Sequence, residues 1–151
     1  MLNKLKTLIR KPRGQRGQAV VEFAIIVSLF LFLLLHLMEW GFYLWSKTTV
    51  ENAVREGARE AVVIRDWQNN YTAREAEIKN IVQARLSTLP AQVTNNIAGN
   101  ITVTVQPNTS QTQSIKVSIA NQPYVPITGI DWLIVPQNLA GQAEFRFEGG
   151  I

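Results

Sequence analysis

Between Glu22 and Glu39 the chain reads FAIIVSLFLFLLLHLM, without a formal charge at neutral pH, and past Glu39 the apolar character resumes as WGFYLW before Lys47. As helix, Phe23 to Trp45 covers about 35 Å, against a bilayer hydrocarbon core of about 30 Å. Phe23 to Leu35 is apolar on every face, with only Ser28 interrupting, and a chain of 151 residues has little else with which to wrap such a helix. A membrane span therefore fits better than a buried core helix. A cleaved secretory signal fits less well, because the run exceeds an ordinary h-region and no small-x-small cleavage signal follows it.

Charge is segregated in the same way. Lys4, Lys6, Arg10, Lys11, Arg13 and Arg16 precede the span with no acid among the first seventeen residues, whereas the rest of the chain has nine basic against eleven acidic residues. The net charge of +4 thus belongs to the leader. A cationic cluster on one side of a span holds that side in the cytoplasm. Residues 1–17 are accordingly expected as a basic cytoplasmic leader, 18–46 as a transmembrane helix in contact with membrane lipid, and 47–151 as an extracytoplasmic domain. The chain is then a single-pass protein of the cytoplasmic (inner) membrane, with Trp40, Tyr43 and Trp45 suited to the outer interface.

Several functions are excluded by what the chain lacks. The part after the leader has no basic face to neutralise phosphates, so no nucleic-acid partner is expected. Cysteine is absent, which removes disulfides, thiolate metal sites and a thiol nucleophile. His36 is the lone histidine and falls within the span, no nucleophile has an evident base, and the extracytoplasmic carboxylates show no paired spacing. Neither an enzyme nor a metal or other cofactor is expected. His36 and Glu39, close to one helical turn apart, read as a polar pair near the outer leaflet.

At the border of leader and span stands Arg16-Gly17-Gln18-Ala19-Val20-Val21-Glu22-Phe23. Glycine offers a protease unobstructed backbone and favours a non-helical joint between leader and span. A lone carboxylate at the head of an apolar helix is costly unless it is paired.

This segment resembles the processing site of type IV prepilins, which a membrane-embedded prepilin peptidase cuts after the glycine. The resemblance implies a cut between Gly17 and Gln18, loss of the six leader charges, and a mature N-terminus followed by Glu22-Phe23. The Glu22 carboxylate of one subunit would then neutralise the α-amino cation of a neighbour and set axial register. Farther on, Gly17-Gln18-Ala19, Glu22-Phe23, Glu39-Trp40-Gly41 and the Ala53-to-Ala58 stretch ending in Gly57-Ala58-Arg59 resemble the TadE-like family of the tight-adherence (Flp) pilus system. The final Ala143-Glu144-Phe145-Arg146-Phe147-Glu148 is similar to that family's closing strand. Ser28 departs from the pattern, since the family often has proline in the apolar run.

The resemblance implies a minor pseudopilin acting in assembly of a pilus or a related secretion system. Its implied partners are a prepilin peptidase, other pilins or pseudopilins, and an inner-membrane assembly platform. The alternative is an uncleaved single-pass anchor presenting an extracytoplasmic binding domain.

Beyond the membrane, Val50, Ala53, Val54, Gly57, Ala58, Ala61 and Val62 recur at helical spacing, which extends the first helix and assigns this stripe to the domain's own core. Arg65 to Asn70 breaks the pattern. Thr72-Ala73-Arg74-Glu75 reads as a capping box opening a second helix, with Ile78, Ile81, Val82, Arg85, Leu86 and Leu89 facing inward and Pro90 ending it. After a polar Gln-Asn-rich joint, Ile101–Val105 and Ile115–Ile119 alternate in period two about a turn at residues 107–113, which predicts an antiparallel hairpin. A less regular apolar connection runs from Tyr124 through Trp132 to Val135, and a last strand is expected near Gly141 to Phe147. Asn70, Asn100 and Asn108 open glycosylation sequons and read as loop composition. The fold class expected is α+β: a long N-terminal helix continuing into a small domain with a second helix and a three- to four-stranded antiparallel sheet. The family resemblance makes that plan pilin-like.

Overall fold

A computed structural model describes residues 15–64, 67–107, 113–129 and 134–147. Most of the basic leader, Arg65, Asp66, Trp132, Glu148 and the hairpin turn at 108–112 lie outside the described residues. The chain divides into two compact units, residues 1–36 and 37–151. In the first, the described part is a single helix whose large apolar side chains, Val20, Phe23, Ile26 and Phe30 among them, stand largely exposed. A run of that kind in water would be an aggregation surface, so lipid is its natural cover.

The helix, α1 (Gln15–Val63), is unbroken over 49 residues. Ser28, which stands in the apolar run where the resembled family often has proline, returns its hydroxyl to the Ala24 carbonyl at 2.7 Å and leaves the helix continuous. Gly17 lies within α1, so the non-helical joint expected there is not formed.

In the second unit, Val50, Ala53, Val54, Gly57, Ala58 and Ala61 are buried, as the small-residue stripe predicts, while Val62 is half-buried. The second helix, α2 (Trp67–Leu86), begins five residues before the expected capping box. Its first turn is fixed by packing: Trp67 is buried and donates its indole N–H to the Ala61 carbonyl at 3.0 Å, near the end of α1. The expected break survives as a kink at Asn70 (φ −130°, ψ 36°), and Glu75 pairs with Lys79 at 2.8 Å instead of capping. Ile78, Val82 and Leu86 face inward, but Arg85 is exposed and bridges to Glu56 at 3.2 Å. The helix stops at Leu86, ahead of Pro90, and Leu89 is buried in the turn that follows.

The supposed joint holds two single-turn helices, α3 (Ala91–Thr94) and α4 (Ile97–Asn100), each burying one apolar side chain, Val93 and Ile97. Strands β1 (Ile101–Pro107), β2 (Gln113–Pro123) and β3 (Asn138–Arg146) form one antiparallel sheet in that order. Ile101 pairs with Ile119 and Val105 with Ile115, the hairpin register that period two predicts. On the same face Gly141, Ala143 and Phe145 stand opposite Ile119, Val117 and Ile115. At Gly141 β3 runs so close to α1 that a Cβ would lie 3.2 Å from Val50 and 3.5 Å from the Glu51 backbone.

A bulge between Ile119 and Gln122, with Asn121 at φ 54°, redirects Gln122 into the interior. There its amide donates to the carbonyls of Val93 (2.7 Å) and Asn95 (2.9 Å) and accepts from Asn100 Nδ2 (2.8 Å). Asn100 is thus a structural donor, not loop composition. Replacing Gln122 with leucine strips these buried groups of partners and is expected to cost about 2 kcal/mol. Chemical denaturation of the full chain in detergent checks this, with the Gln122→Glu variant also destabilised because its carboxylate cannot donate to the two carbonyls.

Candidate functional site

Two places concentrate polar chemistry on α1. The first is the segment Gly17–Phe23. All of it is helical, Gly17 has open space where a Cβ would stand, and Phe23 is exposed. Gln18 donates to Glu22 Oε1 at 2.9 Å across one turn, so two of the predicted site residues meet directly. Glu22 is otherwise on the open flank of an apolar helix, and its amide partner is neutral.

The second was not legible as a site. Glu39 has no solvent exposure and serves as the acceptor for a crossing segment. Its Oε1 accepts the Tyr124 hydroxyl at 2.6 Å and the Ile127 amide at 3.1 Å, and its Oε2 accepts the Thr128 amide at 3.2 Å. The expected polar pair with His36 is replaced by these three donors, while His36 Nδ1 has no hydrogen-bond partner among the described residues and its ring lies 5.7 Å from that of Phe32. The neighbouring aromatics reinforce the lock. Tyr43 packs edge-on against Tyr124 with centroids 5.3 Å apart and bonds the Asn138 carbonyl at 3.4 Å, and Trp40 donates to the Ile134 carbonyl at 3.0 Å. Tyr43, expected at a membrane interface, is therefore core.

Burial first, then the hydrogen bond to Glu39 and its negative charge, push the Tyr124 phenol well above the usual tyrosine range. The phenol thus remains a donor at all ordinary pH. Because its folded pKa is raised, the stability it contributes is complete below about pH 10 and is lost as pH climbs beyond that.

A site made of one acid, neutral donors and aromatics is arranged to hold segments together. No group of three or more metal-ligating side chains converges among the described residues. The signal for it in the sequence was the acid itself, because a carboxylate inside an apolar run must find donors.

An exposed apolar helix at the N-terminus, followed in the chain by an α+β domain, describes a single-pass membrane protein. A family model described as TadE-like protein matches residues 17–59, which takes in Gly17, Gln18, Glu22, Phe23 and Glu39. This is the family that the sequence motifs resemble. No curated protein and no solved structure matches the chain.

Proposed function

We propose that the chain is a minor pseudopilin of a tight-adherence (Flp, type IVb-like) pilus or a related secretion system. It waits in the inner membrane with its leader in the cytoplasm, is cut by a prepilin peptidase between Gly17 and Gln18, and then joins or primes the filament. The observation that carries this reading is the family match beginning at Gly17, with Glu22 exposed about two turns into the apolar helix α1.

Cutting removes six positive charges and creates an α-amino cation at Gln18. In an apolar bundle that cation and a neighbouring subunit's Glu22 are each costly alone and favourable together, which selects a single axial register. Gly17 lies in the first turn of α1, where few backbone bonds hold it, so a protease can unwind it at small cost.

Mass spectrometry of the native protein is expected to find a mature N-terminus at Gln18. A bulky substitution, Gly17→Leu, is expected to abolish processing and filament incorporation, and Glu22→Gln to permit processing but reduce incorporation severely. A native chain that retains Met1 and filaments indifferent to Glu22→Gln would favour the uncleaved anchor.

A further inference from the structure

We propose that the segments 123–129 and 134–138, which together strap the base of the domain, form a lipid-binding surface. It would lie at the boundary between headgroups and acyl chains of the outer leaflet. The proposal rests on the reading that α1 spans a bilayer.

The first argument is one of length. The uncharged run Phe23–Met38 of α1 supplies roughly 24 Å of helix, short of a hydrocarbon core of about 30 Å. At one end stands Glu22, exposed and paired only to an amide. The other end is bounded by Glu39, whose carboxylate is already saturated by internal donors, so the apolar layer can pass it. The residues beyond are suited to lipid: Leu37 is 75% exposed, and Trp40, Leu44 and Trp45 also present apolar surface. The strap sits at this level, because Trp40 donates to the Ile134 carbonyl and Glu39 holds Tyr124, Ile127 and Thr128.

The second argument is that four of the strap's backbone amides already have internal acceptors. Its described residues carry no charge. Pro123, Pro126 and Pro136 have no N–H to leave unpaired. The amides of Tyr124, Ile127, Thr128 and Gly129 are all engaged, with the Gln137 carbonyl, the two Glu39 oxygens and the Pro126 carbonyl respectively. A non-helical segment tolerates lipid only when its backbone donors are satisfied in this way. Ile134, 81% exposed, and Val125 then offer exposed apolar side chains on the strap itself.

The absence of native cysteine allows a direct test in the full chain reconstituted in phosphatidylcholine–phosphatidylglycerol vesicles. An environment-sensitive fluorophore is placed at Ile134→Cys, at Phe30→Cys in the span, and at Glu77→Cys on the exposed side of α2. Lipids carrying a nitroxide at a shallow acyl position should quench the Ile134 label at least about twofold more than the Glu77 label, with blue-shifted emission. Water-like emission at Ile134, quenched by iodide and not by nitroxide lipid, overturns the proposal if the Phe30 label is still quenched by deep nitroxides. If the Phe30 label also escapes quenching, the spanning reading itself fails and the proposal with it.

Discussion

Replacing Glu39 with alanine is expected to lower the stability of the domain by about 4 kcal/mol. The variant removes one side chain but strands three donors, the Tyr124 hydroxyl and the amides of Ile127 and Thr128, in a place closed to water. Hydrogen bonds to a charged acceptor are individually worth about 1.5–3 kcal/mol, and a buried donor left without a partner costs a further desolvation penalty. For a domain of this size the loss corresponds to a fall in Tm of roughly 20 °C. Two controls separate the bonds from the packing. Tyr124→Phe deletes one donor and leaves both amides satisfied, so a cost of about 1–1.5 kcal/mol is expected. Glu39→Gln keeps the shape but turns an NH2 toward amide donors, and should fall between the two. Thermal unfolding of the full chain in detergent, followed by near-ultraviolet circular dichroism, reads all three. Equal stability of Glu39→Ala and the parent chain would mean that the acid does not hold the strap.

The contrast between what local pattern reveals and what it hides is clear in this lock. The hairpin of β1 and β2 is legible because each strand states its own buried face in alternate residues, and the two lie close in sequence. The core stripe of α1 is legible for the same reason, with a period of three and four. Glu39 announces only that it needs donors, and those donors lie 85 to 89 residues away in a segment without periodicity. His36, a turn away, was the nearest polar candidate, and proximity in sequence misled. Tyr43 misled likewise, since an aromatic beside a span suits an interface equally well until Tyr124 is known to pack on it.

The start of α2 shows a second kind of failure. Thr72 and Glu75 have the spacing of a capping box, yet the helix begins at Trp67, because burying an indole and bonding its N–H to Ala61 outweighs a cap worth about 1 kcal/mol. Local propensity marked the break, now the kink at Asn70, and tertiary packing moved the boundary. Of the candidate site residues, Gln18 and Glu22 could be expected to meet from their spacing of four on one helix. Their role depends on a second subunit, which no single chain displays.

Gly57 carries the second large effect. A Cβ built there would sit 2.4 Å from Val82 Cγ2, with Ile78 and Val117 at 3.6 and 3.8 Å. The three neighbours come from α2 and β2, so this is where α1 approaches both at once. Valine at position 82 is branched at Cβ and has little freedom to swing aside. Gly57→Ala therefore sets two terms against each other: about 1 kcal/mol gained from helix propensity and about 1–3 kcal/mol lost to overpacking, with the loss expected to win. Gly57→Leu adds a side chain that has nowhere to go and should cost about 3 kcal/mol or prevent folding of the domain altogether. The decisive comparison is a double-mutant cycle. Val82→Ala alone opens a cavity and destabilises, but combined with Gly57→Ala it vacates the space that the new methyl needs. The double variant is expected to be more stable than the summed single effects by about 1–2 kcal/mol, measured by chemical denaturation of the full chain in detergent. Strict additivity would show that the methyl at position 57 does not compete with Val82 for space, and that α1 and α2 can part to accommodate it.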